Sequence, residues 1–301
     1  MSLLVTGSIG IDTVETPSGK VEDALGGSSI YFACAASFFA PVRLVGVVGE
    51  DCPKDFLKPL RDNPRIDMSG LEVRRGSKTF RWHGRYQEDV NERETVAVEL
   101  NVLGEAAATI PGRFLDSEYV FLANTHPRLQ MEVLAQLKRP RLIVADTMDL
   151  WIRNEPEALG ALLGKLDGLV LNDAEAKLLT GKANLVAAGL QIARGVRRFV
   201  VVKKGEHGGI LFMGGRAYPF PGYPVAEVVD PTGAGDTFAG AMMGHLAAED
   251  KIDLTTLRRA IAYGSVTASI ELEDFSVTRL LSTTREEIEA RMQEFRELAG
   301  F

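Results

Sequence analysis

The feature that most constrains the fold is the alternation of short apolar runs with helix-period segments. LLVTG (3–7), VRLVGVVG (42–49), YVFLA (119–123), RLIVAD (141–146), GLVLND (168–173) and RRFVVVKKG (197–205) are unbroken apolar stretches, as expected of strands buried on both faces. Helices are predicted after Gly26-Gly27, near 127–138 and 184–194, and at 235–248, 254–269 and 284–298. Such a βαβα order predicts an α/β fold: a three-layer α/β/α sandwich with a mostly parallel central sheet covered by helices on both faces.

Two stretches break this rhythm. IDTVETPSGKV (11–21) and the segment LEVRRGSKTFRWHGRYQEDVNERETVAVELNV (71–102) carry strand patterns with turn residues instead of helices. They are expected to pair into a small β lid inserted into the doubly wound core. A length of 301 residues leaves one or two domains open, but no Pro-, Gly- or Ser-rich linker divides the chain, so 1–301 reads as a single domain.

With 46% hydrophobic and 25% charged residues the composition is that of a globular protein, which excludes disordered, collagenous and coiled-coil classes. Cys34 and Cys52 cannot form a disulfide framework, which suits a reducing compartment. The net charge of −7 repels nucleic acid and anionic membrane, so an anionic ligand needs a local trap. MSLLVTGSIGID lacks the basic start of a signal peptide and no run of apolar residues is long enough to span a bilayer, so a cytoplasmic location is expected.

That trap is predicted in VVDPTGAGDTFAGAMMGHLA (228–247), where Asp-Pro-Thr-Gly-Ala-Gly-Asp opens a long apolar helix. Free amides of Gly233, Ala234 and Gly235, with the positive end of the helix dipole, can hold phosphoryl oxygens. Asp236 in the first turn can accept a proton from an attacking alcohol. Equally, the glycines can form a tight turn and Asp236 can be an ordinary N-terminal helix acid. The segment fails as a dinucleotide fingerprint, because Phe238 stands at the third glycine position, and no Walker-type loop is present.

DPTGAGDTFAG late in the chain, the early Gly26-Gly27 pair and NDAE (172–175) between them together resemble the ribokinase-like, or PfkB, carbohydrate kinase family, and the resemblance covers nearly the whole chain. It implies an ATP-dependent kinase acting on an alcohol group of a sugar or related small polyol, or a nucleoside kinase. Asp236 would be the general base and Gly233-Ala234-Gly235 the anion hole. Thr232 precedes the glycines on the nucleotide side. Asn172 and Glu175 resemble the family's N-x-x-E motif, which helps place Mg²⁺ and phosphates; Asn172 with a capping-box Glu175 accounts for the same residues. Lys203, Gly205 and Gly208 resemble the segment near the nucleotide phosphates, although a hairpin between 199–203 and 209–213 with solvated lysines fits as well.

On the substrate side the resemblance implies Asp12 as the alcohol-binding aspartate, Gly26-Gly27 as the diglycine hinge and Asp146 in the region of a D-x-N-x-R motif, where Met148 stands in place of Asn. Ser28-Ser29-Ile30-Tyr31 lacks an Asn often found there, so sugar identity does not carry over. In the lid, alternation puts Phe80, Trp82 and Gly84 on one face and Arg81, His83 and Arg85 on the other. Trp82 and Arg85 are candidates to cover the substrate. The same face can instead pack on a second subunit, leaving a monomer and a homodimer through the lid both open. A monovalent cation is allowed, yet ASIELEDFSVTRL (268–280) departs from the small-residue loop of that site. A non-catalytic ligand-binding relative is disfavoured by the intact glycines and acid, and an oxidoreductase by the lack of G-x-G-x-x-G after the first strand. The dispersed His83, His126, His207 and His245 make a histidine metal site or triad improbable.

Overall fold

The computed structural model of the chain describes residues 1–91 and 93–300; Glu92, within the second lid segment, and Phe301 lie outside it. Thirteen strands occur in the described residues. They are β1 (Leu3–Thr6), β2 (Gly10–Thr16), β3 (Gly19–Gly26), β4 (Val42–Gly49), β5 (Ile66–Arg74), β6 (Phe80–Tyr86), β7 (Arg93–Glu99), β8 (Tyr119–Leu122), β9 (Leu142–Asp146), β10 (Gly168–Asn172), β11 (Phe199–Lys203), β12 (Gly209–Met213) and β13 (Arg216–Phe220). The α-helices are α1 (Ser28–Ser37), α2 (Lys58–Asp62), α3 (Pro127–Gln136), α4 (Asp149–Asn154), α5 (Pro156–Leu163), α6 (Asp173–Thr180), α7 (Leu185–Ile192), α8 (Ala234–Glu249), α9 (Leu254–Glu271), α10 (Thr278–Ser282) and α11 (Arg285–Ala299).

Nine strands form one sheet in the order β13-β12-β11-β10-β9-β8-β1-β4-β5, parallel from β11 to β5 and antiparallel at the β11-β12-β13 end. Side chains leave it alternately to two cores, as the pleat requires. Leu3, Val5, Phe121, Val144 and Val201 meet α1, α8 and α9 on one face. Leu4, Val120, Leu122, Ile143 and Val202 meet α3, α5, α6 and α7 on the other. Both faces are therefore covered, and the apolar runs have no polar side.

The remaining four strands make a separate sheet, β3-β2-β6-β7. Its boundaries differ from the sequence expectation: the first insertion is a complete hairpin reaching Gly26, and the second starts at Phe80. Residues 71–74 belong instead to β5, which continues the parallel sheet at β4. Strand patterning alone cannot distinguish an edge strand of a large sheet from a strand of an inserted one.

Helix α8 is buried almost throughout and lies unusually close to α1. A Cβ on Gly240 would fall 2.4 Å from the Phe32 carbonyl oxygen, and one on Gly244 2.8 Å from that of Ala36. The backbones touch through these glycines. One polar side chain is sealed in the same layer: Glu271, at the end of α9, is 0% exposed and neither carboxyl oxygen has a hydrogen-bond partner among the described residues. Burial, then the negative charges of Asp230 and Asp236, push its pKa well above the usual range.

Two stability measurements follow from this packing. Gly240→Ala should destabilise the protein by about 1–3 kcal/mol, since the obstructing atom is backbone and cannot swing aside; an unchanged urea midpoint would mean that α1 retreats freely. Glu271 holds a proton in the fold that the unfolded chain releases above its ordinary pKa of 4.5, so wild-type stability is full below that pH and declines as pH rises toward the folded pKa. In sodium- and potassium-free buffer, Glu271→Gln should therefore gain on wild type by at most roughly 1.4 kcal/mol per pH unit above that point. Parallel pH profiles for the two proteins would contradict a neutral Glu271.

Candidate active site

The parallel strands β9, β10 and β11 end side by side at Asp146, Asn172 and Lys203, with Asn172 and Lys203 in direct register. This is the carboxyl edge of the sheet, where open α/β folds bind ligands. The N-termini of α1, α6 and α8 reach the same edge, and β2 brings Asp12 from the small sheet.

The start of α8 is held by Asp230, whose Oδ1 accepts from the Thr232 amide at 2.8 Å and Oδ2 from the Ser276 amide at 3.0 Å. Gly233, the N-cap, has φ +86°, and a Cβ there would meet the Tyr31 ring at 2.3 Å, so both conformation and space demand glycine. The Ala234 amide turns back to the Pro231 carbonyl at 3.3 Å. The amides of Gly235 and Asp236 have no backbone acceptor among the described residues. Of the predicted donors, Gly235 is thus better placed than Ala234 to bind an anion. Lys203 is turned inward, with its Nζ 2.4 Å from where a Gly235 Cβ would stand. The hairpin from 199 to 213 is present, and its lysine nonetheless faces the trap.

Asp236 is half-buried beside this trap and interacts with Asp146, a buried acid with its Oδ1 unpartnered. Burial pushes Asp236 up to about 7 against the opposing charge of Lys203. Asp146 rises well above the carboxylate range through burial and the charge of Asp236. Two carboxyls so close share a proton, and Asp146 is the member that keeps it. Asn172 and Glu175 form a reciprocal capping box, each accepting the other's backbone amide at 2.8 Å. Glu175 is raised by burial and held down by the Asn172 amide, Lys203 and Arg93.

Asp12 is 4% exposed, with Oδ1 lacking any partner, and burial with the charge of Asp230 pushes it up to about 7. A Cβ on Gly26 would overlap its Oδ2 at 1.8 Å; Gly27, at φ +101°, lies against the Ser8 carbonyl. Trp82 stands next to Asp12 in the parallel β2–β6 register. Four residues on, past Gly84, Tyr86 meets the Thr232 Oγ1 at 3.2 Å, which identifies this face of the small sheet as the one over the candidate site. Arg85 lies on the opposite face, where its Nε donates to Glu15 Oε2 at 2.8 Å and His83 bonds the same carboxylate. In this structure Arg85 is thus engaged by Glu15 on the face away from Tyr86 and Thr232.

Gly205 and Gly208 shape the β11–β12 turn at φ +55° and +70°, and a Cβ on Gly208 would strike the Phe220 carbonyl at 2.2 Å. Three contributors were not legible as site residues. Arg93, on β7, exerts its charge on Asp236 and Glu175 from the small sheet and lies 3.8 Å from Asp149. Tyr31 forms the floor under Gly233. Asn124 accepts from the Trp151 indole at 2.9 Å and packs its amide on Met148, at the mouth of the site below β8. Extending the Phe80, Trp82, Gly84 alternation by one step would have found Tyr86; Arg93 sits in a charge-rich stretch that gives no such signal.

Residues 3–284 match the sequence model of the pfkB family carbohydrate kinases. Cytidine kinase of Thermococcus kodakarensis is 30% identical over 252 residues, covering 81% of this chain and 87% of that protein. Among solved structures, the chain is similar to the Burkholderia thailandensis nucleoside kinase in complex with inosine, at a TM-score of 0.78 and 21% identity over 99% of both chains. It also resembles the Salmonella enterica aminoimidazole riboside kinase complexed with aminoimidazole riboside and an ATP analog, at a TM-score of 0.78 and 16% identity over 97% of this chain and 100% of that one. With the family model matched over nearly the whole chain and a relative 30% identical over 81% of it, the chain belongs to the pfkB family of carbohydrate kinases and is an ATP-dependent kinase.

Proposed function

We propose that the chain transfers the γ-phosphoryl group of ATP to the primary hydroxyl of a ribonucleoside. The observation that carries the reaction is Asp236 in the first turn of α8, beside the free Gly235 amide and the Lys203 ammonium. Asp236 takes the hydroxyl proton as the hydroxyl oxygen bonds to the γ-phosphorus and the bond to the β–γ bridging oxygen breaks, releasing ADP. The Gly235 amide, the α8 dipole and Lys203 hold the charge that develops on the phosphoryl oxygens. Asp12, whose unpartnered Oδ1 faces no competitor, grips the ribose hydroxyls. Trp82, beside Asp12 on the covering face, offers its ring to a base. The cytidine, nucleoside and aminoimidazole riboside kinases that it resembles favour a nucleoside; a free sugar is the second reading, supported by the family as a whole.

Among the described residues no group of three or more His, Cys, Asp or Glu is placed to hold a metal. Magnesium therefore fits as an ion carried on the phosphates, with Glu175 and Asn172 reaching it through water. When bound it neutralises phosphate charge. A monovalent cation finds oxygen donors in Glu271 and Thr267, whose buried oxygens lack partners. Residues 10–26 and 80–99 act as the lid that excludes water from the transfer.

Asp236→Asn should lower kcat by roughly 10²–10⁴-fold with the ATP Kd little changed; full turnover would remove Asp236 as the base. Because the base must be ionised and burial raises it to about 7, wild-type kcat/KM should be flat above that pH and fall about tenfold per unit below it. Lys203→Met, which removes the charge that holds Asp236 down, should move this limb to higher pH and raise the ATP KM; an unmoved limb would detach Lys203 from the site. Measuring ADP release with ribonucleosides, free pentoses, hexoses and keto-sugar acids checks the substrate. Higher kcat/KM for ribonucleosides is expected, and a free sugar outperforming them would establish the second reading.

A further inference from the structure

A cavity of about 250 Å³ opens among the far ends of α1, α8, α9 and α11, walled in part by His245, Arg259, Arg285, Arg296 and Glu249. His245 and Asp236 are on the same helix, nine residues apart, so at 1.5 Å per residue the cavity is about 14 Å along α8 from the anion trap. It is not part of the site described above.

Three guanidinium groups face this space against one lining carboxylate. Arg285 is fixed: it pairs with Glu289 and stacks 4.1 Å from the Phe39 ring centre and 5.0 Å from that of Tyr263. The guanidinium groups of Arg259 and Arg296 have no hydrogen bond or ion pair among the described residues. His245 is 5% exposed, and its Nε2 has no partner. Burial lowers its pKa to about 4, and the charges of Arg285 and Arg259 act the same way against Glu249 and Glu289. His245, with its buried and unpartnered Nε2, thus borders a cavity in which Arg285 is paired while Arg259 and Arg296 are exposed and unpaired among the described residues. An anion in the cavity could exchange the water on these two guanidinium groups for charge-assisted hydrogen bonds.

We propose that this cavity binds a small hydroxylated phosphomonoester. The planar forks of Arg259 and Arg296 suit the oxygens of a tetrahedral dianion, and His245 Nε2 donates to one of them after a small shift of the ring. Glu249 would repel a bare anion but accepts from a hydroxyl on the ester's carbon body. The volume admits a phosphoryl group with a few carbons and excludes a nucleoside triphosphate. The site stands independently of which alcohol the kinase phosphorylates.

The imidazole signals of His245 report on this cavity and not on the catalytic anion trap, where phosphate can also bind. In full-length protein free of phosphate buffer, glycerol 3-phosphate should shift those signals saturably in the millimolar range and raise the His245 pKa. Glycerol alone should not shift them, and inorganic phosphate should do so at least roughly threefold more weakly. Arg259→Ala/Arg296→Ala should weaken the effect at least roughly tenfold, which is about 1.4 kcal/mol, while kcat with saturating ATP and alcohol changes less than twofold. Arg259→Lys/Arg296→Lys, which keeps charge and fold but loses the forks, should fall between the two. Glu249→Gln should erase the preference for the ester over inorganic phosphate. The proposal is overturned if glycerol 3-phosphate leaves His245 unmoved, if the double alanine variant responds as wild type does, or if inorganic phosphate binds as tightly as the ester.

Discussion

The structure depends on how closely α8 can approach α1. Gly240 and Gly244 bring the two backbones into contact, and Gly233 sets the start of α8 directly on the Tyr31 ring. The glycine-rich start of α8 and Asp236 inherit their position from that contact. The free amides of α8 point along the carboxyl edge of the sheet because the helix is sunk into the layer instead of resting on it. Asp236, one turn in, then falls opposite Asp146 at the end of β9. A larger residue at any of these glycines would lift the helix and carry the trap and the acid away together.

The second constraint is electrostatic. Asp12, Asp146, Asp230, Asp236, Glu175 and Glu271 crowd one region of a chain that is already acidic, and burial raises the pKa of each. The cost of ionising them all is reduced in three ways. Asp230 spends both oxygens on backbone amides. Asp146 and Glu271 stay neutral. Lys203 serves Asp146, Asp236 and Glu175 at once. What remains ionisable near neutrality is Asp236 and Asp12, the two groups that face the cleft with the strongest reason to exchange protons or hydrogen bonds with a hydroxyl.

Much of this was legible in the sequence. Unbroken apolar runs gave a sheet covered on both faces because they have no polar side to present, and the glycines before Asp236 gave the trap because nothing bulkier survives at φ +86°. The structure shows Asn172 and Glu175 as a capping box, and that local role leaves room for a phosphate-side one, so the two readings were never exclusive. What sequence could not supply was non-local. Arg85 and Tyr86 are neighbours with opposite fates, decided by which face of β6 turns inward. Residues 71–74 look like the strand that follows at Phe80, yet pair with β4. The arginines of the α8–α11 cavity come from two helices, α9 and α11, with no common motif.

Position in the small sheet also explains how one insertion can serve both substrates. On its inner face, Asp12 and Trp82 lie in register over the hydroxyl side, while Tyr86 bonds Thr232 at the trap. From β7, Arg93 adds a positive charge that acts on Asp236 and Glu175. The outer face is knitted by Glu15 to Arg85, His83 and Lys20, contacts that tie β2, β3 and β6 together and help the inner residues keep their spacing. On the proposed reading, a sheet hinged at Gly26-Gly27 would bring Arg93 toward the phosphates as it brought Trp82 down on an alcohol. Coupling the two contacts in one element would then make the transfer site complete only when both substrates are in place.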